Sequence, residues 1–274
     1  MIIKTLLEDE TISDDLLTEH GLSLYIETKL RKIIFDTGKT NKFIVNAQTL
    51  DVNLKDADMA ILSHGHYDHG GGLLDFLDVN KEAFVYIQKG AFTPHGSIKE
   101  NEKIRDAGID TEIEENERVK LVEEDIFFDE DLILFSHIEG EELVPRGNDT
   151  LLMKKYDLWE KDDFKHEQNL IIREGRNRVL IVGCSHRGIV NILKQAQEIS
   201  DLPITHVIGG FHLYDLDLND SLDMEFLKKV SDELVESGAT FYTGHCTGRK
   251  QYYKLKEIMG DKINELSTGI IITI

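Results

Sequence analysis

Short apolar runs alternate with amphipathic segments along the first half of the chain, which predicts strands interleaved with helices. The predicted strands cover residues 2–7, 22–28, 32–35, 59–63 and 84–88, with the second and third forming a hairpin, and the predicted helices cover residues 41–50 and 73–77. Residues 100–130 are polar and poorly periodic. We therefore expect an excursion from the core there, with an amphipathic turn around Ile104 as an alternative.

The second half repeats the same alternation. The predicted strands cover residues 132–135, 169–173, 178–182, 204–208, 240–243 and 269–274, and the second and third of these form a hairpin. The predicted helices cover residues 188–199, 222–237 and 251–259. No short-period repeat and no Pro- or Gly-rich linker separates the two halves. The pattern indicates an α/β architecture throughout.

A loop rich in histidine follows the apolar run 59–62. It places His64, His66, Asp68 and His69 within six positions, before three consecutive glycines. Alternate side chains of an extended segment share a face, so His64 and His66 can converge on one cation, while Asp68 and His69, where the chain turns, face a neighbouring one. The spacing therefore predicts a metal-binding loop that serves two ions.

Three predicted strands of the second half each end in a glycine that is followed closely by a histidine. These histidines are His186, His212 and His245. Open α/β architectures place their sites at the carboxyl ends of strands. We expect His186 and His245, each close to a cysteine, to be metal ligands, whereas His212 either binds metal or lines a substrate pocket.

Composition and charge narrow the function. The 274 residues, 41% of them hydrophobic, suffice for one large α/β domain or two small ones. A formal net charge of -21 argues against binding to nucleic-acid phosphates or to anionic lipid. No apolar run reaches the roughly 18 to 20 residues that span a bilayer. The two cysteines form no disulfide framework, and acidic residues interrupt the apolar N-terminus, so we expect a cytoplasmic protein. The negative charge favours a small-molecule substrate over a nucleic acid.

These motifs resemble the metallo-β-lactamase superfamily. Residues 21–38 are similar to its opening hairpin with an Asp-Thr-Gly motif, residues 64–69 to its HxHxDH signature, and Gly244 with His245 to its final histidine motif. The segments 183–190, 209–213 and 243–248 are similar to a subgroup known as metal-dependent hydrolases or as dihydropterin-methyl-ribofuranosylaminobenzene-phosphate synthases. That second name implies a pterin-type phosphorylated substrate.

The resemblance implies a four-layer αββα sandwich with metals at one edge, formed by a single domain over residues 1–274 with an irregular insertion around 95–165. It also implies that Asp36 does not touch metal but braces the histidine loop by hydrogen bonds. One departure stands out, because Cys184 occupies the position of an aspartate that usually bridges two metals. A thiolate there is a soft ligand for zinc or iron, whereas a neutral thiol would weaken the second metal site. The family also expects a histidine upstream, for which we favour His186 as the replacement and keep His166 in reserve.

We therefore expect metal-assisted hydrolysis of an ester, a phosphoester or a related small molecule, with one or two divalent ions. Zinc is the expected metal, with iron or manganese as alternatives. Asp68 would also orient the nucleophile, and Arg187 and His212 would contact substrate. The alternatives are an iron-dependent redox enzyme of the same fold, a pterin-related synthase, and a non-catalytic metal- or ligand-binding protein. The sequence does not predict the oligomeric state.

Overall fold

The structure is a computed structural model that describes residues 1–98 and 103–274. Its chain forms two compact units. The first unit consists of Met1–Glu124, Thr150–Gln168 and Ser267–Ile274, and the second unit consists of Asp125–Asp149 and Asn169–Leu266. The expectation of one domain over residues 1–274 stays a prediction.

Strands and helices alternate along most of the described chain. The strands are β1 (Ile2–Leu7), β2 (Ser23–Glu27), β3 (Lys32–Phe35), β4 (Met59–Leu62), β5 (Phe84–Gln88), β6 (His95–Ile98), β7 (Ile104–Asp106), β8 (Val119–Val122), β9 (Ile126–Phe127), β10 (Leu132–Ser136), β11 (Leu151–Lys155), β12 (Leu158–Lys161), β13 (Gln168–Glu174), β14 (Asn177–Ile181), β15 (His206–Ile208), β16 (Thr240–Thr243), β17 (Ile263–Glu265) and β18 (Ile271–Thr273). The α-helices are α1 (Lys42–Thr49), α2 (Tyr67–Gly70), α3 (Leu73–Val79), α4 (Ile189–Ile199), α5 (Ser221–Glu236) and α6 (Arg249–Met259).

The main sheet of the first unit has the strand order β18-β1-β2-β3-β4-β5-β8. The hairpin of β2 with β3 is antiparallel, and β3, β4, β5 and β8 are parallel. The strands and helices predicted for residues 2–88 are confirmed, and their ends agree with the predicted ends within two residues. Because β3 and β4 are parallel neighbours, Asp36 and Ser63, which follow them directly, emerge at the same edge of the sheet.

The strand that delivers the histidine loop is anchored by burial. All four residues of β4 are buried, and Leu62 belongs to one apolar cluster with Phe43 of α1 and Phe76 of α3. Fully burying a large apolar side chain contributes about 1.5 to 3 kcal/mol. The helices that cover this sheet therefore hold the start of the loop rigidly.

Two expectations about residues 95–165 were wrong. β8 is a strand of the main sheet rather than part of an excursion. Within the predicted irregular insertion, β6, β7, β11 and β12 form a sheet with the order β12-β11-β6-β7, and β9 and β10 belong to the sheet of the second unit. Ile104 begins β7 and does not lie in a turn. Every residue of β7 and β12 is exposed, so neither strand has the buried face that produces an alternating pattern. Residues 100–102, at the start of the predicted excursion, lie outside the described residues.

The second unit is built on one sheet with the order β17-β16-β15-β14-β13-β10-β9. The predicted hairpin is confirmed as the antiparallel pair β13 and β14, and β14 through β17 are parallel. α4, α5 and α6 follow the strands as predicted, and Asp220 caps α5 by accepting hydrogen bonds from the Leu222 and Asp223 amides. The parallel arrangement brings the ends of β14, β15 and β16 to one edge.

No helix in residues 1–98 or 103–274 has the length and apolar character needed to cross a membrane.

Candidate metal centre

The histidine loop of the first unit gathers its metal-binding side chains into a buried group. His64 leaves the end of β4, His66 immediately precedes α2, and Asp68 and His69 lie in that helix. All four residues are buried. The ring centroid of His64 lies 4.7 Å from that of His66 and 4.2 Å from that of His69. Three imidazoles and a carboxylate thus share one small volume.

Asp36 ties this loop to the preceding strand. Its Oδ1 accepts a hydrogen bond from the Ser63 amide over 2.7 Å, and its Oδ2 accepts bonds from the Ser63 hydroxyl over 2.7 Å and from Nδ1 of His69 over 2.6 Å. Asp36 has a φ of 61°, in the left-handed region that few non-glycine residues adopt. The three bonds support the bracing role predicted for Asp36.

The same bonds determine the tautomers of two histidines. The Ser63 hydroxyl donates its hydrogen bond to Asp36, so its oxygen, 2.9 Å from Nδ1 of His64, accepts a hydrogen bond from that nitrogen. Nδ1 of His69 likewise donates to Asp36. In the neutral form of either ring the lone pair is therefore on Nε2, which is a nitrogen that binds metal in proteins.

The Asp68 carboxylate has a histidine neighbour that the sequence did not single out. Its Oδ2 lies 3.3 Å from Nε2 of His20 and 3.9 Å from Nε2 of His69. Nδ1 of His20 is 2.8 Å from an oxygen of Asp9. His20 thus links Asp68 to a second carboxylate at the more exposed side of the group.

The reserve ligand His166 lies in the first unit, close to the loop. Its ring centroid is 5.6 Å from that of His66, and its Nδ1 accepts a hydrogen bond from the Gly65 amide over 2.9 Å. Burial lowers the pKa of His66 well below its ordinary value, and the nearby His166 and His95 lower it further. Burial also lowers the pKa of His166. Both rings are therefore neutral, the form in which an imidazole can bind metal.

The second unit collects a separate group of donors at the ends of β14, β15 and β16. Cys184, His186, His212, His245 and Cys246 follow these strands and are all buried. One ligand atom each from Cys184, His186 and His212 lies within 4.8 Å of the others, and the same holds for Cys184, His245 and Cys246. His212 and His245 have φ angles of 50° and 47°, so strained backbone coincides with this group.

His186 has a fixed orientation. The Asn148 side-chain amide donates to the His186 carbonyl over 2.7 Å, which places the Asn148 Oδ1 atom 2.9 Å from Nδ1 of His186. Because Oδ1 only accepts, Nδ1 carries the proton and the lone pair is on Nε2. His212 differs, because its two buried ring nitrogens have no nitrogen or oxygen partner among the described residues, and its side chain interacts with the Cys246 thiol instead.

The two cysteines lie together. Sγ of Cys246 accepts a hydrogen bond from the His212 amide over 3.3 Å, and a Cβ at Gly210 would overlap that sulfur. Burial opposes ionisation of Cys246, but a hydrogen bond from Cys184 and the nearby His245 outweigh it and hold the pKa of the Cys246 thiol well below its ordinary value. Thiolate and imidazole donors suit zinc and iron, so these residues fit a divalent metal of that class.

Arg187, predicted to contact substrate, is engaged with the backbone of its own unit. Its guanidinium donates to the carbonyls of Ile138 and Gly140, each over 3.2 Å. The substrate-binding roles of Arg187 and His212 stay predictions. The structure brings together His64, His66, Asp68, His69 and Asp36 in the first unit, and Cys184, His186, His212 and His245 in the second. That the two sets serve the same ions also stays a prediction.

Comparison with known proteins decides the family. Residues 18–230 match the family model of the metallo-β-lactamase superfamily. The chain belongs to the metallo-β-lactamase superfamily. The recognition made from the HxHxDH motif is confirmed, and so is the fold class, α/β of the metallo-β-lactamase type.

Three similar proteins span nearly the whole of this metallo-β-lactamase chain. It is 30% identical over 271 residues to the 7,8-dihydropterin-6-methyl-4-(β-D-ribofuranosyl)-aminobenzene-5′-phosphate synthase of Methanocaldococcus jannaschii, with 93% of this chain and 90% of that protein covered. Tm1679, described as a metal-dependent hydrolase of the β-lactamase superfamily, is 30% identical, with a TM-score of 0.85 and coverage of 100% of this chain and 99% of its own. Zn²⁺-bound PqqB from Methylobacterium extorquens, 10% identical with a TM-score of 0.57 and 100% of both chains covered, shares the fold alone.

Proposed function

We propose that this protein is a metal-dependent hydrolase that cleaves an ester or phosphoester bond of a small molecule. The observation that carries the proposal is the buried group of His64, His66, Asp68 and His69, in which hydrogen bonds leave the Nε2 lone pairs of His64 and His69 suited to metal. Neutral imidazoles and a carboxylate are the donors that catalytic zinc sites use. The similarity to Tm1679 supports the same reaction class.

Each side chain has a proposed role. His64 and His66 hold one ion together with His186 or His245, and Asp68 and His69 hold a second, to which Cys184 adds a thiolate. For the ligands from the second unit, the support is the family motif and their own clustering rather than a distance to the histidine loop. Zinc is the proposed metal, with iron or manganese as alternatives. A bound divalent ion would lower the pKa of a water molecule to about 7 and stabilise the charge that develops on the attacked oxygen.

The protein's own groups orient the reaction. We propose that Asp68, 3.3 Å from His20, orients the nucleophile and that Asp36 keeps His69 in one tautomer. His212 and Arg187 are the proposed substrate contacts. Since the chain carries a net charge of -21, we propose a small molecule rather than a nucleic acid as substrate, and the synthase relative makes a phosphorylated compound the first to test.

A second candidate is a pterin-related synthase. The observation that favours it is the 30% identity over 271 residues to the protein of that name in Methanocaldococcus jannaschii. A synthase would form a bond between two substrates at the same buried histidine group, so it predicts little turnover of simple esters. The two candidate functions therefore differ in the substrates that the protein turns over and not in its metal content.

The test is a turnover assay on a panel of phosphate monoesters, phosphate diesters and carboxylate esters. It compares the zinc-loaded wild type with His66→Ala and with the control His206→Ala, a histidine of β15 outside both donor groups. We expect turnover of at least one substrate by the wild type and the control, and loss of turnover together with bound zinc in His66→Ala. Retention of both by His66→Ala would refute the proposed role of the loop, and no turnover of any ester by zinc-loaded wild type would favour the synthase.

A further inference from the structure

A chain of buried side chains connects the first unit's small sheet to the backbone between His64 and His66. Asp162 follows β12, His95 begins β6, and His166 lies just before β13. All three residues are buried and belong to the first unit. Neither the family signature nor the proposed reaction assigns Asp162 or His95 a role.

The hydrogen bonds among these side chains determine which ring nitrogens of His95 and His166 carry protons. The Gly65 amide donates to Nδ1 of His166 over 2.9 Å, so that nitrogen carries a lone pair and the ring proton is on Nε2. Nε2 of His166 lies 3.3 Å from Oδ2 of Asp162, to which it donates. Nδ1 of His95 donates to the same oxygen over 2.8 Å, and the Phe164 amide donates to Oδ1 over 2.8 Å. An ionised carboxylate only accepts, so Asp162 requires an N–H from each ring.

In this arrangement both ring nitrogens of His166 are engaged, although the ligand atoms of His66, His95, Asp162 and His166 lie within 4.8 Å of one another. A neutral imidazole has one lone pair, and in His166 that lone pair receives the Gly65 amide. The other nitrogen carries the proton that faces Asp162. The reserve assignment of His166 as the family's upstream ligand is therefore not supported by its contacts, and its place beside the loop needs another explanation.

The backbone around Gly65 is held from the same side by a second residue. The Gln168 amide donates to the Ser63 carbonyl over 2.8 Å, and the Gln168 side chain donates to the Leu62 carbonyl over 2.7 Å. A Cβ at Gly65 would overlap the Ala91 carbonyl, so the loop is also packed closely. The segment 162–168 thus fixes the backbone that leads into His64 and His66.

We propose that Asp162 is a positioning residue: it sets the tautomer of His166, and His166 holds Gly65 so that His64 and His66 face one divalent ion together. In its effect on metal affinity this inference rests on the proposed function, which places a metal at these histidines. The tautomer itself is a property of the metal-free protein. Outer hydrogen-bond partners of metal ligands typically change metal affinity by about 10- to 100-fold.

The direct test is Asp162→Asn, which keeps the shape of the side chain but replaces one acceptor oxygen with an N–H donor. That donor would face Nε2 of His166, move the ring proton to Nδ1 and oppose the Gly65 amide. We expect Zn²⁺ affinity, measured by competition with a chromophoric chelator, to fall about 10- to 100-fold. The matched control is Asp163→Asn, because Asp163 bonds to the amide and the side chain of Lys165 and acts on His166 through its charge alone. It should keep the wild-type affinity.

A second pair of variants separates positioning from ligation. In His166→Asn the side-chain oxygen takes the place of Nδ1 and can accept the Gly65 amide, whereas His166→Leu has no acceptor. We expect His166→Asn to keep most of the Zn²⁺ affinity and His166→Leu to lose it. Equal loss in both variants would mean that His166 is a ligand and would overturn the proposal.

A spectroscopic measurement on metal-free wild type keeps the proposal testable if Asp162→Asn does not fold. The ¹⁵N shifts of the His166 ring should show a protonated Nε2 and an unprotonated Nδ1, and the Gly65 amide should be protected from hydrogen exchange. A protonated Nδ1, or wild-type Zn²⁺ affinity in Asp162→Asn, would overturn the inference. Normal Zn²⁺ affinity and the expected tautomer without turnover of any ester would instead refute only the hydrolase.

Discussion

Nδ1 of His69 donates to Oδ2 of Asp36 over 2.6 Å, and both side chains are fully buried. The bond joins the residue that follows β3 to the helix that follows β4, and it gives His69 the tautomer in which Nε2 carries the lone pair. A carboxylate behind a metal-binding histidine fixes its orientation and raises its basicity. The geometry of the metal group therefore depends on a residue that is not itself proposed to touch metal.

Asp36→Asn should weaken metal binding without changing the size of the side chain. One of the atoms facing the Ser63 hydroxyl, the Ser63 amide and Nδ1 of His69 becomes a donor, so at least one of these bonds is lost. We expect about a 10- to 100-fold loss of Zn²⁺ affinity, and a stability loss of about 1 to 3 kcal/mol from the unsatisfied buried group. Calorimetric titration and denaturant unfolding measure the two effects. Asp56→Asn, at an exposed ion pair with Lys32, is the control and should change neither.

Removing the metal should abolish activity and lower thermal stability. An ion that binds only the folded state stabilises it by about 2.7 kcal/mol when its concentration is 100 times the dissociation constant. We expect chelation to lower the melting temperature and zinc to restore both the melting temperature and turnover. A melting temperature that does not respond to zinc over a wide concentration range would show that no ion binds the folded chain at those concentrations.

Cys184→Ser should reveal whether a thiolate binds metal. In Co²⁺-substituted protein a cysteine ligand produces a charge-transfer band in the near ultraviolet, because a thiolate is a soft and oxidisable donor. We expect the band in the wild type and its loss in Cys184→Ser. Cys246→Ser is the comparison, since Cys246 lies within 4.8 Å of Cys184 at the same strand ends. An unchanged band in Cys184→Ser together with its loss in Cys246→Ser would show that Cys246, and not Cys184, is the thiolate ligand.

Stability of the metal-free protein should fall as the medium becomes acidic. Burial lowers the pKa values of His66 and His166 below the ordinary 6.5, so below that pH the unfolded chain binds protons that the folded chain does not. Stability therefore rises with pH below about 6.5 and levels off above it. Unfolding at several pH values measures the slope, and His166→Asn should have a shallower slope than the wild type. An equal slope in the two proteins would show that the pKa of His166 is not lowered in the folded chain.

Gly65→Ala should destabilise the first unit. Its Cβ would overlap the carbonyl oxygen of Ala91, and backbone atoms cannot move aside as a flexible side chain can. Overpacking of this kind costs about 1 to 3 kcal/mol. Gly108→Ala is the control, because the nearest atoms to a Cβ there lie at an ordinary 3.5 Å. Equal unfolding free energies for the two variants would show that the loop can shift to make room.

The sequence predicted those parts of the fold that bury a continuous apolar run. Every residue of β4 is buried, and so are most residues of β3 and β5, which gives these strands a clear signal. β7 and β12 bury nothing, and β8 buries only Val122, so no pattern distinguishes them from loop. β7 pairs with the neighbouring β6, β12 pairs with the neighbouring β11, and β8 pairs with β5, so these strands are specified by their partners rather than by burial of their own residues.

The residues of the candidate site also differ in whether their own sequence neighbourhood predicts them. His64, His66, Asp68 and His69 are close in sequence, so their grouping could be read directly, and glycine followed by histidine indicated the strand ends of the second unit. His95 and Asp162 are 67 residues apart and meet because β6 pairs with β11. Neither residue has a local pattern that suggests a site. Cys246 was not predicted as a ligand, because burial alone explains a cysteine in a core.

Anomalous diffraction from crystals of the zinc-loaded protein, recorded at the zinc absorption edge, shows whether the histidine loop binds metal. We expect an anomalous peak about 2.0 to 2.2 Å from an imidazole nitrogen of His64 and of His66, or from Asp68 and His69, or at both positions. Zinc peaks that all lie outside coordination distance of these four residues would contradict this prediction.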